Sequence, residues 1–361
     1  MLDNRLDRLD TWRAICCLGV LWIHCWHLNA SVPIVIAGVN FAKLFSIVGN
    51  GVDFFFVISG FCIYYFYINK LKIINAKTYS RFIYSRFYRI IPAFFISIVV
   101  YAFLFKLDNG IINAVRLVLL NLFMLQNFSV DYEISSHFWS IAVEWNFYFM
   151  FPLLLYFCLK SNNIILYLSI ITILISIVGV LLLKWDAKYD TQLPVRFVEF
   201  SMGIILAYYY RIKGSIEFNY RYIFLGILLL LMGRLFNTDF ALHYFNSEWM
   251  YAIIKISGYA IMTAGFAILL YFTIDNKSTI FNFLTWKPLN FIGKISYSFY
   301  LWHSVSISIV WYYFHKLNLI YMLSPVLSVI TQFLFCVAIT IPIAYLSYHF
   351  IERKFKYNAK D

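Results

Sequence analysis

Residues 111–127 read IINAVRLVLLNLFMLQN. Whether this stretch crosses a membrane decides the fold, because every later loop changes sides with the answer. It is apolar but short, and it holds Arg116, Asn121 and Gln126. Longer apolar runs surround it, at about 12–29, 47–69, 89–106, 138–160, 163–183, 194–211, 220–237, 250–272, 292–315 and 322–349. Each is roughly long enough to span a ~30 Å hydrocarbon core as a helix. If 111–127 stays on one side, ten spans remain and both termini share a side. That side then carries 20 of the 29 Lys and Arg residues, and the opposite loops are acidic, as in SVDYEIS (129–135) and DAKYD (186–190). The positive-inside rule makes the basic side cytoplasmic. Were 111–127 to cross, the basic tail ERKFKYNAKD (352–361) would lie outside. The segment is therefore expected to be re-entrant or interfacial. The expected fold is an all-α polytopic membrane protein of about ten transmembrane helices plus this one short helix, with both termini cytoplasmic.

Composition agrees. The chain of 361 residues is 63% hydrophobic, 21% aromatic and 13% charged, which excludes a soluble domain with a conventional core. The net charge of +12 reads as topology and not as a nucleic-acid surface. The start MLDNRLDRLDTW carries three aspartates and no small-residue cleavage site follows, so the first apolar run is expected to be retained. Cys16, Cys17, Cys25, Cys62, Cys158 and Cys336 all fall inside predicted spans without metal-ligand spacing. Buried thiols, no disulfides and no metal are expected. No repeat or linker divides the sequence, which is read as one domain over residues 1–361.

Ionisable residues inside spans are functional candidates, because burying them is costly unless they are paired. Counting from the predicted span ends, His24, Asp53, Glu144 and Glu199 each lie five or six residues from the outer boundary, about 7–9 Å deep. Four helices thus deliver ionisable groups to one expected level. Simpler roles compete: Asp53 can cap a broken helix, and Glu199 can pair with Arg196 three residues before it on the same face. His24 alone fits a hydrogen-bonded core histidine. With a carboxylate beside it, the imidazole becomes a better base.

A second concentration is basic. SRFIYSRFYRIIP (80–92) sets Arg81, Arg86 and Arg89 at the cytoplasmic mouth of the third span. Arg86 and Arg89 are three apart and share a helix face. Ordinary anchoring explains lysines such as Lys70 and Lys72, but paired guanidinium groups also suit phosphates. Arg13 lies eleven residues before His24, about 16 Å along the same helix. An anion-binding inner mouth is expected to lead to an acid–base level near the outer face.

These same residues carry a family pattern. The sequence resembles the acyltransferase-3 family of bacterial integral-membrane O-acyltransferases. RLDTWRAICCLGVLWIH (8–24) resembles its opening motif, an arginine and a histidine separated by ten residues, here Arg13 and His24. GVDFFFVISGF (51–61) resembles its second signature, and SRFYRIIP (85–92) its arginine motif. FWSIAVEWNFYFMFP (138–152) resembles its Trp-Ser-x-x-x-Glu signature, giving Trp139, Ser140, Glu144 and Tyr148. RFVEFSMG, ISYSFYLWH and IERKF fit weaker late motifs, although Lys354 stands where the family usually has proline. The match runs along essentially the whole chain in order.

The resemblance implies an inner-membrane enzyme of bacteria that moves an acyl group, most often acetyl. The donor implied is cytoplasmic acyl-CoA, here acetyl-CoA. The acceptor implied is a hydroxyl of a cell-surface or periplasmic carbohydrate, such as O-antigen or exopolysaccharide, at the outer face, with membrane lipid around the protein. Arg13, Arg86 and Arg89 are expected to hold the CoA phosphates. His24 is expected to act as base with Asp53 orienting it. Trp139, Ser140, Glu144 and Glu199 are expected at the sugar, and His303 along the acyl path, where a packed core histidine serves equally well as a reading. The hydrolase-like domain fused to some family members is not expected here. The competing function is a proton-coupled transporter or flippase of a glycan or lipid-linked intermediate, which would also use intramembrane Asp, Glu and His. Such proteins often show paired half-repeats, and none is visible.

Overall fold

A computed structural model of the chain describes residues 3–29, 35–36, 39–40, 46–71, 74–160, 163–214, 219–237, 247–274 and 279–355. Every predicted span is helical there. In chain order the elements are α1 (Asp3–Leu28), strands β1 (Val35–Ile36) and β2 (Val39–Asn40), then α2 (Gly51–Tyr67), α3 (Ala76–Phe105) and α4 (Ile111–Leu122). These are followed by α5 (Trp139–Leu159), α6 (Ile164–Trp185), α7 (Leu193–Lys213), α8 (Tyr220–Phe236) and α9 (Glu248–Thr273). The last are α10 (Lys287–Lys294), α11 (Ser296–Lys316), α12 (Leu319–Met322) and α13 (Pro325–Ser347). The tail lysines Lys356 and Lys360, used above for topology, lie outside the described residues.

The membrane assignment follows from these lengths. The α2 helix with the 3-10 turn before it, α3, α5 with the turn before it, α6, α9, and α13 with its terminal π-turn are each long and apolar enough to cross. The other four predicted spans are helical too, but α8 has 17 residues, α1 and α7 carry several charges, and α11 is broken up by Ser, Tyr and His. The decisive stretch behaves as its length dictates. The α4 helix has 12 residues, so it is about 18 Å long and too short to span the hydrocarbon. Its polar residues tie down the chain that follows. Asn121 Nδ2 donates to the carbonyls of Leu117 and Tyr132, Gln126 Nε2 to that of Phe138, and Asn127 Nδ2 to those of Trp139 and Thr191.

Two compact units make up the chain. One consists of residues 1–55 and 277–354, the other of 56–276 with 355–361. In the first, α1 packs on α10, α11 and α13, and α11 packs on α13. The predicted span 292–315 is broken at Ile295 into α10 and α11. Glu352 explains how the break is stabilised: its carboxylate accepts from the Ser298 amide and hydroxyl, satisfying a donor that a new helix start leaves open. The C-terminal end of α1 is held by a reciprocal amide pair. Asn29 Nδ2 donates to Gln332 Oε1 at 3.0 Å, and Gln332 Nε2 donates to Asn29 Oδ1 at 3.2 Å.

In the second unit α9 lies along α8, α7 and α6. The α2 and α7 helices cross closely, because a Cβ at Gly60 would strike the Phe200 carbonyl and one at Gly203 would strike that of Val57. Small residues permit this backbone approach in a membrane, and it fixes the height of the residue beside Gly60, Ser59. The long α3 helix begins with a capping box, in which the Asn75 side chain accepts from the Thr78 amide and Thr78 accepts from the Asn75 amide.

Candidate functional site

Arg13 and His24 share α1, as their spacing predicts. Arg13 Nη1 pairs with Asp10 Oδ1 at 3.3 Å. The half-buried His24 ring faces His303 of α11, with centroids 5.3 Å apart and planes tilted by 36°. His303 is 1% exposed. Its Nδ1 lies 2.6 Å from the Tyr300 carbonyl, which can only accept, so Nδ1 carries the proton and Nε2 is left as an acceptor in the neutral ring. Ser304 Oγ lies 3.4 Å from that Nε2.

Asp53 is placed differently from the sequence expectation. Asn50 Nδ2 donates to its Oδ2 at 2.8 Å. A Cβ at Gly51 would collide with the Cys16 carbonyl, so the start of α2 lies beside Cys16, about 12 Å of helix before His24. Arg13 and Asp53 are the charged neighbours of Cys16. Among the described residues His24 makes no hydrogen bond to Asp53, and its ring partner is His303. The depth count set the start of this span level with the end of the first, whereas Val48 already lies against Gly19, ten residues before Asn29, and the 3-10 turn Ser46–Asn50 leads from there toward Cys16.

The second unit gathers the remaining candidates into two clusters. In the first, the Arg86 guanidinium lies over the rings of Tyr67, Phe82 and Tyr148, at 4.7, 5.9 and 5.8 Å. Its Nη2 donates to Tyr67 Oη and its Nε to Ser85 Oγ at 3.4 Å. Tyr148, one turn beyond Glu144 on α5, donates its hydroxyl to Glu144 Oε1, and Ser59 of α2 donates to the same oxygen. Arg86 and Glu144, expected at opposite ends of the path, are thus one tyrosine ring apart. Arg89 is exposed on α3.

The second cluster centres on Arg196 of α7, sandwiched between the rings of Trp139 at 4.9 Å and Tyr259 at 4.0 Å. Its Nη1 reaches the fully buried Glu199 at 3.3 Å, its Nη2 reaches Asp190 Oδ2 at 2.9 Å, and its Nε donates to the Asp190 carbonyl. Glu199 therefore takes the pairing that its spacing from Arg196 allowed. Lys255 lies 3.3 Å from Asp190 Oδ2, and the Tyr259 hydroxyl donates to both carboxylate oxygens at 2.9 and 3.0 Å. Burial opposes ionisation of Asp190, but Arg196, Lys255 and Tyr259 outweigh it and hold its carboxyl below the usual range. Ser140, buried beside Trp139, donates to the His137 carbonyl at 3.3 Å.

Ser59, Tyr67, Asp190, Lys255 and Tyr259 were not singled out from sequence. Only Ser59 left a signal, a hydroxyl inside the apolar run GVDFFFVISGF. None of the six cysteines is in a disulfide; five are buried and Cys62 is half-buried. Among the described residues no three His, Cys, Asp or Glu side chains are grouped as metal ligands.

A family model described as "Acyltransferase domain" matches residues 6–349. The O-acetyltransferase OatA of Staphylococcus aureus (strain NCTC 8325 / PS 47) is 29% identical over 371 residues, covering 96% of this chain and 56% of its own length. The putative O-acetyltransferase SACOL0978 of Staphylococcus aureus (strain COL) is 26% identical over 392 residues, covering 96% of this chain and 57% of its own. The chain thus spans little more than half the length of these relatives. No solved structure matches.

Proposed function

The chain belongs to this acyltransferase family, and from that premise we propose that it moves an acetyl group from cytoplasmic acetyl-CoA to a hydroxyl of a cell-surface or periplasmic carbohydrate, such as O-antigen or exopolysaccharide. The proposed setting is the bacterial inner membrane with both termini cytoplasmic.

The acceptor oxygen attacks the thioester carbonyl carbon while His24 takes the hydroxyl proton. The C–S bond then breaks, the CoA thiolate leaves with its electron pair, and His24 returns the proton to it. The products are the O-acetyl ester and CoA thiol, with His24 neutral again. The observation that carries this reading is the placement of His24. It is half-buried against His303, a buried imidazole whose tautomer is set by a backbone carbonyl.

Arg13, Arg86 and Arg89 are assigned to the CoA phosphates. Two N–H groups of Arg86 are engaged by Tyr67 and Ser85, and its guanidinium has five donors in all, so capacity for an anion remains. His303 lines the acyl path. Trp139 offers the sugar a ring backed by Arg196, Glu199 supports Arg196 beneath it, and Ser140 and Glu144 supply polar contacts. Asp53, set beside Cys16 and not against the His24 ring, is assigned to the α1–α2 corner at the Arg13 end of the site.

Membranes given labelled acetyl-CoA and de-esterified surface polysaccharide test the reading. Label should pass to the polysaccharide with wild type and not with His24→Ala, and Arg86→Ala should raise the KM for acetyl-CoA. Undiminished transfer by His24→Ala removes the proposed base.

A further inference from the structure

Glu144 is bound in a lopsided way. Both of its hydroxyl donors, from Ser59 on α2 and Tyr148 on its own helix, fall on Oε1. A carboxylate offers about four lone-pair positions over its two oxygens. Among the described residues Oε2 accepts no hydrogen bond, and unlike Glu199 Oε2 it is not a sealed buried atom. Glu144 itself is half-buried. The elements that carry the two donors are closely packed. The α2 backbone beside Ser59 is fixed by the Gly60–Phe200 approach. The Tyr148 ring is 5% exposed and packed by Phe82 and Phe147. Across that ring the Arg86 guanidinium brings a compensating positive charge, so the carboxylate is not an isolated charge in an apolar surround.

We infer that Glu144 presents Oε2 to a hydroxyl of the acceptor carbohydrate, and that Ser59 and Tyr148 are positioning residues that turn the carboxylate so that this oxygen stays open. The inference rests on the acyltransferase reading above and deepens it. The chemistry selects the ligand class. A carboxylate oxygen accepts from O–H groups and repels phosphate and carboxylate, so the group that fits Oε2 itself is a hydroxyl of a neutral polyol. A site built to bind a hydroxyl also rejects an analogue that lacks it, because the buried polar group is left unpaired.

Tyr148→Phe and Ser59→Ala remove the donors and keep the packing, since the phenyl ring still faces Arg86. Acetyl transfer to de-esterified surface polysaccharide is measured in detergent-solubilised protein, with KM determined for acceptor and for acetyl-CoA. Each substitution should lower kcat/KM for the acceptor by about tenfold, and the pair by more, with the acetyl-CoA KM within error of wild type and the thermal midpoint lowered by no more than about 4 °C per lost hydrogen bond. Unchanged acceptor kinetics in the double variant overturn the inference. So does a parallel loss in acceptor KM, donor KM and thermal midpoint, which marks a structural role. Wild-type protein that transfers no acetyl group overturns the acyltransferase reading, and this one with it.

Discussion

Two carboxylates in the same unit are treated in opposite ways. Asp190 is saturated: Arg196, Lys255 and Tyr259 converge on its side chain, and Arg196 also takes its backbone carbonyl. Glu144 receives two neutral hydroxyls on one oxygen and keeps the other open. The first arrangement joins the turn before α7 to α7 and α9 and leaves nothing for a ligand. The second spends part of its binding capacity on orientation and holds part back. Charge inside a membrane protein is therefore a poor guide to function until its partners are counted, and the cost of burial is offset in both cases by different means.

The contrast can be broken most directly at Asp190. Asp190→Ala leaves Lys255 without its anion and Arg196 with Glu199 alone, and should cost about 3–5 kcal/mol, read as a lowered thermal midpoint in detergent. A stability equal to wild type would show that the cluster is not structural. At Glu144 the loss should appear in turnover. Glu144→Gln should reduce acetyl transfer by about a hundredfold, near 2.7 kcal/mol of transition-state stabilisation, with a thermal midpoint close to wild type. If Glu144→Gln unfolds the protein while Asp190→Ala only slows it, the two assignments must be exchanged. A smaller effect sharpens the comparison: Tyr259→Phe deletes one neutral donor from a carboxylate that keeps two cations, and should cost about 1 kcal/mol of stability.

The smallest effect expected is in acid. Asp190 has its carboxyl held below the usual range, so its contribution to stability is complete above the ordinary Asp value near ~3.9. That contribution is lost as pH falls through the lowered one. Thermal midpoints followed downward from pH 6 should fall less steeply in Asp190→Asn than in wild type. Identical slopes would contradict the assignment.

Most of the fold was legible because apolar runs near twenty residues long have few other outcomes. The α5 and α6 helices start and stop within two residues of the predicted spans. The short α4 was legible from charge asymmetry in loops far from it. The site was legible only along single helices. Arg13 with His24 and Arg196 with Glu199 follow from spacing on one face. Ser59 with Glu144, Asp190 with Tyr259, and His24 with His303 join residues distant in the chain, and nothing local marks them. Asp53 shows the limit from the other side: its depth was counted from an assumed starting level at residue 47, while Val48 already lies against Gly19, well along α1 from Asn29.

The unit that holds His24 and His303 is assembled from residues 1–55 and 277–354, and this sets a timetable for its biogenesis. Gln332, which locks the C-terminal end of α1, and Glu352, which caps α11, are made some three hundred residues after α1. At translation rates of roughly 5–20 residues per second, α1 waits on the order of 15–60 s before the helix bearing Gln332 is made. During that interval the polar faces of α1 need a temporary companion, either an insertion chaperone or the neighbouring helices already inserted. The histidine pair cannot form until residue 303 has been made, about 280 residues after His24.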